Sequence, residues 1–335
     1  MRYTLCAAAF AAVFLMQAPV SAQTAKAPSK AAAPWVAPHT PWGDPDIQGW
    51  YSNLSEDGTP LERPVQFEGR RLEDISREEL VAIKKGIQER TIKTFQGPLH
   101  APEHFWQDDL NLVKGSQAWL IVDPPDGHVP PLTPQAKEKA ARTPARRPNA
   151  RPSSWLELTL YDRCITRGLP GSMMPAIYGN SYQIVQSPGV VAIRYEMVHE
   201  TRVIPLGSQP HVSPALPSYM GDPRGHWEGN TLVVETTNFR SDTAYRGANS
   251  ATLKLTERFT RISPDKVKWA VTVEDPETWT RPWTFSMPLT MDSSQPVLEY
   301  GCHEGNYGLA NILSAARAAD QKETEQAVKN PGVAK

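Results

Sequence analysis

From about Trp155 onward the chain alternates apolar and polar residues in short runs separated by turn formers. The runs "YQIVQSPGVVAIRYEMVHETRVIPL", "GHWEGNTLVVETTNF", "LKLTERFTRISPDKVKWAVTVEDP", "RPWTFSMPLTM" and "VLEYGCHEG" read as strands. A strand turns successive side chains to opposite faces, so a period of two marks an element with one buried face. Turn signals fall between the runs at Ser187-Pro188-Gly189, Glu228-Gly229-Asn230 and Ser263-Pro264-Asp265. Short strands at this spacing predict an antiparallel meander closed as a β-barrel or packed as a β-sandwich.

The first half has a different period. In "DISREELVAIKKGIQER", Leu80, Ile83 and Ile87 recur at helical spacing, and Ser76 with Glu79 makes a capping box. Lys84 and Lys85 suit the C-terminal half of that helix. A second helix is expected at "TPQAKEKAAR", capped by Thr133 with Pro134 in its first turn. Between them "AWLIVDPPDGHVPPL" reads as a strand entering a proline turn. "GLANILSAARAADQKE" predicts a C-terminal helix fraying into a tail. The expected class is mainly β, a lipocalin-like meander with N-terminal helical decoration and a C-terminal helix.

Boundaries follow from composition. Residues 1–22 have Arg2, an apolar run and Val20-Ser21-Ala22, the pattern of a signal peptide cleaved after Ala22. The apolar run is too short to span a bilayer, and no later segment is apolar enough to try. Residues 23–40 are an Ala/Pro-rich linker. Residues 41–154 form an N-terminal arm and helices on the body, 155–318 the β-rich domain, and 319–335 a flexible tail. The protein is therefore expected in the periplasm or secreted. Once Cys6 leaves with the leader, Cys164 and Cys302 form an even pair, expected as one disulfide. A formal net charge of −1 and the absence of a basic stripe argue against nucleic acid as a partner. "TPARRPNARP" is basic, but its prolines and alanines suit a solvated loop.

Alternation also indicates which polar groups point inward. Val191, Ile193, Tyr195 and Met197 share a phase with His199, and Val233 and Phe239 share one with Glu235. Leu253, Leu255 and Phe259 share a phase with Glu257, and Val267, Trp269, Val271 and Val273 with Asp275. Leu232 and Val234 leave the opposite phase open for Glu235. Inward carboxylates are costly unless paired, and Arg202, Arg258 and Arg281 are near enough in sequence to pair them. A structural ion-pair network accounts for such groups as readily as a polar pocket does.

Motifs narrow the chemistry. His199-Glu200, His226 and His303-Glu304 are the metal-type residues, but there is no HExxH, HxH or cysteine pair at ligand spacing. No GxSxG elbow, phosphate loop or dinucleotide fingerprint is present, so no cofactor is expected, with a bound metal as the lesser alternative. Acid–base chemistry then names His199, Glu257 and His303 for proton transfer, with Arg202 and Arg258 as electrostatic partners. Glu235, Asp275, Trp279, Trp283 and Tyr307 are candidate substrate contacts. The "WTRPW" pair of tryptophans suits an aromatic or sugar ligand with flat faces.

The pieces "TPWGDPDIQG", "VDPPDGHVPPLTP", "DRCITRGLP", "YQIVQSPG", "GHWEGNTLVVETTNF", "TERFTRI", "TVEDPETWTRPW" and "YGCHEGNY", from about Thr40 to Tyr307, carry a resemblance. They resemble a family of exported bacterial proteins of uncharacterised function. The resemblance implies export and a single full-length unit, and it transfers no catalytic residues. The sequence therefore leads to an exported, cofactor-independent enzyme of lyase, isomerase or hydrolase type acting on a small organic molecule. The alternative is a small-molecule binding or carrier barrel without catalysis.

Overall fold

The computed structural model describes residues 35–94, 111–142, 151–176, 178–293 and 297–329. The expected leader at 1–22, the linker up to residue 34 and most of "TPARRPNARP" lie outside the described residues. Ala37–Lys335 forms one compact unit.

Ten strands make one sheet. They are β1 (Gly49–Ser52), β2 (Ile121–Asp123), β3 (Ser181–Ser187), β4 (Val190–Tyr195), β5 (Thr201–Pro205), β6 (Asp222–Glu228), β7 (Thr231–Thr237), β8 (Lys254–Ser263), β9 (Lys266–Glu274) and β10 (Trp283–Met291). The order is β5-β4-β3-β1-β10-β9-β8-β7-β6, with β2 paired to β10 off that path. Every ladder is antiparallel. Two meanders, β3–β5 and β6–β10, are thus joined edge to edge through β1.

The hairpins fall where the turn formers predict them. Gly189 and Gly229 take the left-handed conformation at φ 79° and 55°. Ser263 donates to the Asp265 carboxylate at 2.6 Å in the third turn. Alternation is cleanest on β9, where Val267, Trp269, Val271 and Val273 are fully buried between partly exposed neighbours. Phe259 of β8 and Trp269 are register partners whose rings stack at 6.5 Å, and Phe285 of β10 meets Trp269 edge-on at 5.6 Å. Such aromatic pairs fill the interior of the sheet with side chains.

The outer edges approach each other without completing a ladder. Leu206 and Gly225 form a single parallel bridge, and the Gly207 N–H donates to the Gly225 carbonyl at 3.0 Å. A Cβ on Gly225 would lie 2.7 Å from Leu206 Cδ2 and 2.9 Å from Ile204 Cγ2. The missing side chain is what lets the edges touch.

Several expectations change. The segment from residue 41, read as an arm on the body, supplies a central strand: β1 sits between β3 and β10, with Ile47 and Tyr51 buried. β2 likewise comes from the N-terminal half, so the sheet is not confined to 155–318. "VLEYGCHEG" is not a strand but an irregular stretch and turn, with Gly305 at φ 100°.

The helices are α1 (Arg77–Thr94), α2 (Pro134–Arg142) and α3 (Tyr307–Lys329). Helix α3 runs through most of the expected tail. In α1 the Glu79 N–H donates to Ser76 Oγ at 3.2 Å, but the Glu79 carboxylate pairs with Arg70 instead of completing the box. In α2 the Ala136 N–H donates to Thr133 Oγ1 at 3.1 Å, as expected of the cap. Lys84 is not on the solvated face: it is fully buried, donating to Glu56 Oε2 at 3.0 Å and to Thr59 Oγ1. Glu56 Oε1 also accepts the Ser116 N–H at 2.6 Å, so this pair fastens α1 to the loops beneath it.

Candidate functional site

The five residues expected to carry acid–base chemistry do not form one site. Glu257 and Arg202 do meet, inside the sheet. Arg202 Nη2 donates to Glu257 Oε2 and, at 3.2 Å, to Thr236 Oγ1, while Trp269 Nε1 donates to Glu257 Oε1 at 3.1 Å. Both charged side chains are sealed from solvent. Burial alone would lower the Arg202 pKa, but the Glu257 carboxylate holds it above its usual value, so the guanidinium stays charged. Tyr195 lies beside Arg202, and burial pushes its phenol well above the ordinary range.

The others lie elsewhere. Arg258 follows Glu257 on β8 and therefore points outward, where it pairs with Glu228 at the surface. His303 is exposed in the irregular 300–306 stretch. His199 ends a short turn after β4, its Nε2 3.3 Å from Glu299 Oε1 without hydrogen-bond alignment.

Among the expected substrate contacts, Glu235 is outward beside Lys254, since Leu232, Val234 and Thr236 take the buried phase of β7. Tyr307 is exposed at the start of α3. Trp283 is fully buried, its ring 5.7 Å from that of Trp279. Asp275 and Trp279 line a small cavity of about 300 Å³ with Arg281. Asp275 is a loop organiser. Burial pushes its carboxyl up, yet bonds from Thr252, Thr278 and the backbone N–H groups of Asn249 and Glu277 hold it below the usual range.

The expected disulfide is present. Cys164 and Cys302 bond at an S–S distance of 2.02 Å with their Cα atoms 5.6 Å apart. It tethers a proline- and glycine-punctuated loop region before β3 whose described residues, 151–176, have turns but no strand. Two further ties hold this region. Asn306 Nδ2 donates to the Asp162 carbonyl at 3.2 Å, and Thr166 Oγ1 donates to Glu200 Oε2 at 2.7 Å.

This tethered loop forms one wall of a cleft of about 750 Å³, and residues 242–246 form the other. Arg163 and Arg167 enter it from the first wall and Arg246 from the second. Among the described residues none of the three is in an ion pair. Arg167 Nη2 donates to Tyr161 Oη at 2.9 Å, with its guanidinium 4.5 Å from the Tyr161 ring centroid, and Arg163 lies 4.6 Å over Trp155. The single acid on the walls, Asp242, is held by Arg240 through two 3.0 Å bonds, which keep its carboxyl below the usual range. The cleft is therefore electropositive, with Leu156, Leu158 and Tyr245 supplying apolar surface.

Backbone strain gathers nearby. Cys164, Arg246 and the consecutive Val198 and His199 all have φ between 53° and 62°, a region non-glycine residues rarely occupy. Glu200 follows directly. Burial raises its carboxyl pKa above the ordinary value, and the Thr166 bond only partly offsets this. Arg163, Arg167 and Arg246 escaped the sequence reading because they lie in irregular loops, where no period marks a face. The available signal was "DRCITRGLP", two arginines flanking the tethered cysteine.

Among the described residues there is no group of three or more His, Cys, Asp or Glu side chains placed to hold a metal ion. No described helix is long and apolar enough to cross a membrane. No protein-family model, curated protein or solved structure matches the chain.

Proposed function

We propose that this protein is an exported small-molecule-binding protein whose ligand is an anion with a flat, apolar body, held in the arginine cleft. The observation that carries this reading is the convergence on one concave, partly apolar surface of three guanidinium groups that have no ion-pair partner among the described residues. Guanidinium recognises carboxylate, sulfate and phosphate through its planar fork of donors. The disulfide supports export, since cysteine pairs persist as disulfides in oxidising compartments.

The test is calorimetric titration of the purified chain with 2-naphthoate and with its neutral counterpart, 2-naphthalenemethanol. Naphthoate should bind and the alcohol only weakly. Arg163→Gln and Arg167→Gln should each weaken naphthoate by about 1.5–3 kcal/mol, the range for hydrogen bonds to charged groups. Equal binding of the two probes, or indifference to both substitutions, would refute the reading.

An acid–base enzyme working in the same cleft is a second reading, favoured by the Glu200 carboxyl tied to the lining residue Thr166. A carboxyl whose pKa is raised by burial keeps its proton to higher pH than an ordinary one, which suits it to proton transfer. If a bound anion is found to turn over, Glu200→Gln should abolish turnover and spare its binding. Turnover undiminished in that variant would remove Glu200 from the chemistry.

A further inference from the structure

A second cavity of about 360 Å³ lies against the disulfide, lined by Tyr161, Asp162, Cys164, Tyr178, Tyr300 and Glu304 among others. Tyr161 belongs to the walls of both this cavity and the arginine cleft. From it an unbroken row of side chains leads outward. Arg167 donates to the Tyr161 hydroxyl, the Tyr161 hydroxyl donates to that of Tyr178 at 3.1 Å, and the Tyr178 ring stacks on Tyr300 at 6.1 Å with 15° between planes. The row begins at a cation and ends in aromatic faces.

The two ends differ in charge. The cleft presents Arg163, Arg167 and Arg246, whereas the disulfide cavity presents the carboxylates of Asp162 and Glu304. Asp162 already accepts from the Thr159 hydroxyl and N–H, and Glu304 is exposed at the rim. Carboxylates only accept hydrogen bonds, so this end favours a donor. The disulfide fixes the 300–309 side against the loop that carries the cleft residues, because Cys164 lies between the cleft-lining Arg163 and Thr166 and is bonded to Cys302.

We propose that the cleft and the disulfide cavity act as one extended site for an elongated molecule, with an anionic head among the arginines and a flat aromatic tail ending in a hydroxyl donor. The head belongs to the cleft reading above, and the proposal rests on it. The tail lies against Tyr178 and Tyr300, with its hydroxyl directed to Glu304 or Asp162. Rings stacked on exposed aromatic faces gain both burial and geometry-specific attraction.

The experiment titrates the full chain with 2-naphthoate and with 4′-hydroxybiphenyl-4-carboxylate. The longer probe should bind at least about tenfold tighter, a gain within reach of one stacked ring and one hydrogen bond. Tyr300→Leu should remove most of that gain and leave 2-naphthoate affinity in place. Glu304→Gln, an exposed change with no burden on folding, should reduce the gain specifically for the hydroxyl-bearing probe relative to biphenyl-4-carboxylate. Equal affinity for long and short probes, or Tyr300→Leu weakening both alike, overturns the extended site and leaves the cleft reading standing. Failure of both probes to bind overturns the two together.

Discussion

Arg202 and Glu257, 55 residues apart in sequence, face each other inside the sheet as an ion pair with 3 % and 0 % of their surfaces exposed. The pair looks catalytic by composition, yet it has no path to solvent. Among the described residues, Arg202 Nε and Nη1 and the Tyr195 hydroxyl meet no well-aligned hydrogen-bond partner. The pair's role is conformational: it fixes how β5 lies against β8 across the interior.

Glu257→Gln should therefore destabilise strongly, by about 3–5 kcal/mol, because it strands a buried guanidinium. The double change Arg202→Met with Glu257→Leu should lose much less than either single change, since it removes both desolvation penalties. Urea denaturation of the three variants checks this. A double variant as unstable as the singles would contradict the argument.

The Cys164–Cys302 bridge spans 138 residues. In the chain-entropy account, closing a loop of that length restricts the unfolded chain by about 5 kcal/mol. Denaturation with and without a thiol reductant should show a loss of that order. Affinity for 2-naphthoate should fall as well, because the bridge holds a cleft wall. Unchanged affinity under full reduction would show that the wall is held by its other ties.

Glu200 gives stability a pH dependence of predictable sign. Its folded pKa lies above the ordinary 4.5, so folding favours the protonated carboxyl. The contribution is intact below about 4.5 and is lost as pH rises through the raised folded value. Relative to Glu200→Gln, the native protein should therefore lose ground as pH rises from about 4.5 through the raised folded value. Paired thermal melts across that range give the readout, and a constant difference between the two proteins would contradict the prediction.

Val198, at φ 62° and ψ 7°, is a β-branched residue in the left-handed region. Glycine adopts that conformation without strain, so Val198→Gly should raise stability by about 1 kcal/mol. Chemical denaturation would show the shift. A loss would mean that the valine side chain contributes more packing than its backbone costs.

The meanders were readable because β9 and the hairpin turns follow local rules: strict alternation and residues that tolerate left-handed backbone. β1 was not, because its four residues carry too few alternations to register and its place is set by partners β3 and β10, both remote in sequence. The opposite error arose at "VLEYGCHEG", where a short apolar start imitated a strand that the following turn does not continue. The burial of Lys84 has no local signal, since nothing near it in sequence shows that Glu56 lies beneath it. Of the candidate site, only the tethered cysteines were foreseen. The cleft depends on two loops folding toward each other, and loop approach leaves no periodic trace.

The seam between Leu206 and Gly225 has a consequence outside stability. Strand edges whose N–H and C=O groups face outward are templates for a second chain. Here those edges are turned on each other, and the contact is possible because position 225 carries no side chain. A methyl group there would push the edges apart while leaving most of the core packing in place. The opened edges of β5 and β6 would then offer unpaired N–H and C=O groups to a second chain, so the consequence of position 225 reaches beyond the single molecule.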